Sequence, residues 1–183
     1  DGRNENHRMY VLEGNSQDPQ GTYTFKGKIR DPSDVWATAG MAFQKEDGSL
    51  YFVWSGWRNG NDGMPQRTYI APMSNPWTIS GDRVEISSPT QPWDGTIQEG
   101  QEVIIKDGTI SIIYSANGSW MDDYVLGQLT NTDGDVLNPS SWTKKSTPVF
   151  GKNPEGQAYG TGHHSFTKSP DGKVDWMVYH AFK

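Results

Sequence analysis

The chain has no cysteine, no apolar run long enough to cross a membrane, and no stretch that reads convincingly as a helix. Without thiols there are no disulfides, no thiol nucleophile and no cysteine-held zinc. Without about 18 consecutive apolar residues there is no membrane-spanning helix. Positive charge is also short. The 16 basic residues against 22 acidic ones leave a formal net charge of −6, which argues against a nucleic-acid partner. What the 183 residues hold instead is 21 Gly, 11 Pro, eight Trp and eight Tyr, a composition of turns and aromatic-bearing strands. The length suits one domain with a real core, or part of a larger one. No signal peptide is visible, though a mature chain would have lost one. Asn117-Gly118-Ser119 has the form of an N-glycosylation triplet, a pattern that also arises by chance.

Three segments share a strand, an Asp-Gly turn and an aromatic-ended strand: "AFQKEDGSLYFVWSGW", "VIIKDGTISIIYSANG" and "SFTKSPDGKVDWMVYHAF". Their turns, at Asp47, Asp107 and Asp171, recur every ~60 residues. Asp-Gly between alternating apolar residues is a strong hairpin signal, because the tight turn needs positive φ at both central residues. Each of the first two hairpins is followed by a Tyr-led strand, a polar turn and a Trp-Thr strand, as in "YIAPMSNPWTISGDRVEI" and "YVLGQLTNTDGDVLNPSSWTKK". A fainter copy, "YVLEGNSQDPQGTYTFKG", opens the chain, so the leading tyrosines are Tyr10, Tyr69 and Tyr124. Four antiparallel strands per repeat and no helix describe an all-β chain built from β-propeller blades, longer than the WD40 or kelch type. A β-sandwich with coincidental hairpin spacing is the alternative.

On this reading residues 1–183 form one partial propeller. Residues 7–30 are a half blade, 38–87 and 98–146 are full blades, and 160–182 are another half blade. That is about three blade-equivalents, where closed rings need at least about four. An open arc leaves faces and strand edges bare. Three explanations follow: a piece of a longer propeller, which is favoured; a homodimer whose half blades complete one another; or a partner chain carrying the missing blades.

The first strand of a blade lines the central channel, and the three blade mouths read "WATAGMAF", "IQEGQEVI" and "GTGHHSFT". Aligning them on their turns groups Gly40, Gly100 and Gly162, with Ala39, Glu99 and His163 beside them. Glu99 and His163 are therefore expected to converge on one mouth. A carboxylate with an imidazole suits general acid chemistry, or a hydrated metal held through His. The plain alternative is that Glu99 caps backbone and His163 donates to a carbonyl. Trp36, Trp57 and Tyr159 flank the mouths, where they would either stack on a sugar ring or simply pack between blades. Asp31 and Asp34 read as turn residues, and His7 and His180 as structural. "NGNDG" (59–63) and "NTDGD" (131–135) lack the distal Glu of a calcium loop and read as turns.

In these residues the chain resembles glycoside hydrolase family 43, the five-bladed propellers that include α-L-arabinofuranosidases, arabinanases and β-xylosidases. "ENHRMYVLEG", "LYFVWSGW", "YIAPMSNPWTISGDRVEIS", "SWTKKSTPVF" and "GTGHHSFTKSPDGKVDWMVYHA" are similar to segments of its exo-acting arabinofuranosidase-like branch. The resemblance implies hydrolysis with inversion, using an Asp base, a Glu acid and a second Asp that tunes the acid. It makes Glu99 in "QEGQ" the general acid, with Gln101 where Pro is usual. It puts Ala39, in Trp36-Ala37-Thr38-Ala39-Gly40, where the tuning Asp belongs, and leaves the base Asp upstream of Asp1. It matches His163 to the channel His that reaches a central hydrated calcium or other ion, and His164 stands where Asn or Ala is usual. The implied partner is an arabinose- or xylose-containing glycan, and the implied location is secreted or periplasmic. Activity is expected to be impaired in this chain alone. The rival expectation is a lectin-like protein that keeps the pocket without the chemistry.

Overall fold

Period-two alternation broken by Gly-, Pro- and Asp-rich turns produces four successive antiparallel sheets. The structure, a computed structural model, describes residues 2–60 and 63–183. A hairpin of β1 (Met9–Gly14) and β2 (Tyr23–Ile29) comes first. The second sheet runs β3 (Ala37–Gln44), β4 (Leu50–Gly56), β5 (Arg67–Asn75), and its outer edge is split between β6 (Thr78–Ile79) and β7 (Val84–Ser87), which both pair with β5. The third runs β8 (Gln98–Lys106), β9 (Thr109–Ala116), β10 (Val125–Asn131) and β11 (Thr143–Lys144). A hairpin of β12 (Tyr159–Lys168) and β13 (Asp175–Phe182) ends the order. Among the described residues, helix is confined to two 3-10 turns, Asn4–Asn6 and Pro139–Ser141. The innermost strands meet, β8 touching both β3 and β12, so the sheets fan from a common line as propeller blades do.

Each full sheet is buried on both faces. In β4 the pleat sends Phe52 and Trp54 toward the first sheet, beside Ile29, Met9 and Val11, and Val53 toward the third, beside Ile112 and Tyr114. Full burial of such a side chain is worth about 1.5–3 kcal/mol. The end hairpins differ. Tyr10, Leu12 and Phe25 on one, and Trp176 and Val178 on the other, are more than half exposed.

The three expected Asp-Gly turns are not alike. Asp107-Gly108 is a two-residue turn with φ of 50° and 75°, as the motif requires. Asp47 and Asp171 lie in longer loops, where their carboxylates accept from the backbone N–H of Ser49 and Lys173. In "NTDGD" the side chains of Asn131 and Asp133 accept from the N–H of Gly134 and Asp135, as in a plain turn. Of "NGNDG", Asn61 and Asp62 lie outside the described residues. The glycosylation triplet is also structural. Asn117 is buried at φ 73°, and its amide donates to the carbonyls of Trp93 and Asp123.

All three inner strands carry a bulge at the same place. Thr38 pairs with Ser55 and Met41 with Val53, leaving Ala39 and Gly40 opposite one residue. Gly100 and Gln101 lie likewise between Glu99 and Glu102, and His163 and His164 between Gly162 and Ser165. The first bulge residue has positive φ in each case: Ala39 51°, Gly100 58°, His163 46°. The pairing therefore makes Ala39, Gly100 and His163 equivalent, and Glu99 equivalent to Thr38 and Gly162. This corrects the alignment on turns by one residue in the middle repeat, where the Asp-Gly turn is the shorter one. Gly40, Gly100 and Gly162 do not share a role. A Cβ at Gly40 would lie 2.2 Å from the Phe52 ring and one at Gly162 would lie 2.3 Å from Tyr124, whereas Gly100 supplies the left-handed turn. The tyrosine alignment shifts too. Thr68 pairs with Ser55 as Leu126 pairs with Ser115, so Tyr124 corresponds to Gln66 and not to Tyr69.

Polar contacts bridge the sheets unevenly. Gln101 Nε2 donates to Thr68 Oγ1 at 3.1 Å, and the Thr68 hydroxyl donates to Gln98 Oε1 at 3.1 Å. At the next interface Leu126 occupies the place of Thr68, and the corresponding groups, Thr161 Oγ1 and both ring nitrogens of His164, are buried without a protein partner. Burial, helped by neighbouring His163, pulls His164 from 6.5 to about 4. Elsewhere, fully buried Asp94 accepts from Lys144 Nζ at 2.7 Å, from the Tyr114 hydroxyl at 2.9 Å, and from the N–H groups of Thr90 and Gln91.

Two outcomes follow. Asp94→Ala leaves the part-buried Lys144 ammonium without its counter-ion and the buried Tyr114 hydroxyl without its acceptor, and should cost about 3 kcal/mol in urea unfolding. His164 binds its proton less readily folded than unfolded, so its contribution is complete above 6.5 and is lost as pH falls toward about 4. Stability should therefore fall on acidification through that window, by up to about 1.4 kcal/mol per pH unit from this residue. The His164→Gln protein should show a flatter acid limb when unfolding curves at several pH values are compared.

Candidate active site

The bulges aim side chains at one end of the inner strands. After Glu99, the kink at Gly100 turns β8, and the matching kink at His163 turns β12 toward it. A Cβ on Gly100 would lie 3.5 Å from His163 Nδ1, an ordinary contact distance, so the two kinks pack side by side and glycine is needed here for its φ of 58°. The His163 N–H donates to Ser115 Oγ at 2.8 Å, anchoring the bulge across the sheet interface. Glu99 Oε1 lies 3.9 Å from His163 Nδ1. The two residues that the repeat spacing groups are thus together. Glu99 is the more enclosed, its side chain 17% exposed against 52% for His163.

Tyr124 joins them. Its hydroxyl donates to Glu99 Oε1 at 2.8 Å and lies 3.4 Å from His163 Nδ1. Its ring is fully buried, stacked at 5.3 Å on His180 and covered by Gly162. Burial, and then the negative charge of Glu99, push the phenol well above its ordinary value, so it stays a hydroxyl and a donor. The repeat pattern presents Tyr124 only as the head of an outer strand, and nothing in periodicity marks it as a partner of Glu99. Glu102, beyond the bulge on the same strand, also faces His163; burial raises its carboxyl and the imidazole partly opposes this.

Of the three aromatics beside the mouths, two are packed between elements. Trp36 and Trp57 stack on each other at 4.8 Å with an interplanar angle of 6°, and are 4% and 6% exposed. Trp36 also donates to Asn4 Oδ1 and meets His7 edge-on. They pack between elements and offer no free face to a sugar. Tyr159 is half-buried at the start of β12. Asp31 is paired with Arg83, and Asp34 with Arg8 and Lys28. Both are committed to the loop that enters β3.

Calcium takes six to eight oxygen ligands. His163 offers one nitrogen, and no group of three or more His, Asp or Glu side chains able to hold a metal occurs among the described residues. The residues present do not form a cage for such an ion, and could meet it only through its water shell.

The extracellular exo-α-(1→5)-L-arabinofuranosidase of Streptomyces avermitilis is 40% identical over 178 residues, 94% of this chain and 36% of that protein. A protein of the same description from Streptomyces chartreusis is 32% identical, across 95% of this chain and 54% of its own length. The crystal structure of α-L-arabinofuranosidase from Lactobacillus brevis superposes with a TM-score of 0.87 at 35% identity, over 95% of this chain and 55% of that one. The chain thus spans between a third and somewhat over half of these relatives. The sequence profile of glycosyl hydrolases family 43 matches residues 1–183, and the chain belongs to that family.

Proposed function

We propose that this chain is part of an inverting glycosidase that removes terminal α-L-arabinofuranosyl, or β-xylosyl, residues from plant cell-wall polysaccharide, with Glu99 as the general acid. The observation that carries this reading is the Glu99–Tyr124–His163 cluster at the bulged end of the inner strands. With Oε1 occupied by the Tyr124 hydroxyl, Oε2 is the oxygen that would protonate the leaving group. Inversion needs a second carboxylate about 6.5–9.5 Å away, across the sugar, to activate water. Glu102 lies on the same strand as Glu99, and Asp31 and Asp34 are held in ion pairs, so the base must come from elsewhere. The chain alone is then a poor catalyst. The bare faces of the two end hairpins support completion of the ring by further strands, from a longer chain, a second copy or a partner chain. The extracellular relatives support a secreted or periplasmic location. A hydrated calcium beside His163 remains compatible, and no step above uses it.

A second reading, glycan binding without turnover, is favoured by Ala39. That residue stands in the left-handed region at φ 51°, where Asp is better tolerated than Ala. Ala39→Asp should leave stability unchanged or raise it by up to about 1 kcal/mol in thermal unfolding, and should raise turnover on the enzyme reading.

Hydrolysis of aryl α-L-arabinofuranosides and β-xylosides, measured beside binding of α-1,5-linked arabino-oligosaccharides, separates the two. Any turnover should fall about 10²- to 10⁴-fold in Glu99→Gln. Turnover indifferent to that substitution removes Glu99 as the acid. Binding with no turnover, even in Ala39→Asp within a ring completed by the remaining blades, selects the lectin-like reading.

A further inference from the structure

Buried Trp36 and Trp57 leave the mouth without its expected aromatic faces, but another tryptophan stands open. Trp120 is 74% exposed, on the loop of residues 117–124 between β9 and β10. That loop leaves the third sheet at the end where Glu99 lies, because Ala116 pairs with both Gln98 and Val125. Its last residue is Tyr124, which holds Glu99.

The loop is braced for something so exposed. The Asn117 amide ties its two ends, donating to Trp93 O and to Asp123 O. The Asp122 carbonyl accepts from Gly160 N–H at 3.1 Å, and the Asp122 carboxylate pairs with Lys152. These contacts fix the loop against the start of β12, next to Tyr159. Trp120 lies over Gly118, where a Cβ would come within 2.6 Å of the ring. One face of the indole is therefore seated on glycine backbone and the other is open. An exposed, preorganised aromatic face loses little side-chain freedom when a flat apolar surface docks on it.

We propose that Trp120 is a stacking platform for the C–H face of a sugar residue, in a subsite beyond the one at Glu99. This rests on the glycosidase-type reading of the Glu99 mouth. The loop joins β9 to β10, which lie one and two strand spacings (about 5 and 10 Å) from β8, so the platform is assigned to a neighbouring residue of an oligosaccharide and not to the sugar at Glu99. Its occupant is a short linear glycan, and a free monosaccharide falls short of it.

The test uses the whole chain labelled with 5-fluorotryptophan, the Trp120 fluorine resonance being assigned by its loss in Trp120→Phe. Arabinose and α-1,5-linked arabinobiose and arabinotriose are titrated, while the His163 imidazole is followed by proton–nitrogen NMR. The expected result is a Trp120 shift with biose and triose but not with arabinose, and about tenfold weaker triose binding in Trp120→Ala. Gly118→Ala, which keeps the indole but unseats it, should weaken triose to a similar degree. Shifts at His163 with Trp120 silent would overturn the platform and leave the Glu99 mouth standing. Silence at both positions would overturn the platform together with the reading beneath it. Equal affinity of wild type and Trp120→Ala for triose would also overturn it.

Discussion

The bulge repeated in each inner strand is the constraint on which the site depends. Two residues oppose one, the first in the left-handed region, and the strand turns so that side chains on either side of the kink reach the shared axis. Glu99 on β8 and the imidazole on β12 belong to separate blades, yet with that turn they lie 3.9 Å apart, and a phenol from the end of the β9–β10 loop joins them. The same device sets which residues each position tolerates. Glycine at 100 adopts the left-handed turn without strain, His163 accepts a strained backbone to present its ring, and Ala39 accepts the strain while presenting almost nothing.

Hairpins every ~60 residues, with polar and aromatic alternation, made the four-stranded unit and the fan of sheets legible before any coordinates. The shared neighbourhood of Glu99 and His163 was legible for the same reason. The exact register was not, because a bulge inserts a residue without disturbing the pattern on either side. Grouping the glycines was misleading: Gly40 and Gly162 are small because Phe52 and Tyr124 press on them, and Gly100 is there for its φ. Sequence position also leaves open which aromatics pack and which stay free. Trp36 and Trp57 stand near the mouth in sequence but satisfy each other, and periodicity carries no information about which of eight tryptophans has an open face. Tyr124 was hidden because its importance comes from Glu99, a residue on another strand.

Family membership and local geometry answer different questions. The first rests on similarity along the whole chain. The second concerns which atoms can act, and here the chain sets Glu99 beside Tyr124 and His163 while the other nearby carboxylates are engaged elsewhere or share its strand.

The replacement of Thr68 by Leu126 at the equivalent place has a mechanical consequence. The joint between the second and third sheets is laced by a hydroxyl serving two glutamines, whereas the joint between the third and fourth leaves Thr161 and His164 unlaced. Sub-global opening should begin at that weaker seam, with the amides of β12 and β13 exchanging with solvent ahead of those in β4 and β9. The cluster around Glu99 straddles this seam, so its fit relies on the looser of these two joints.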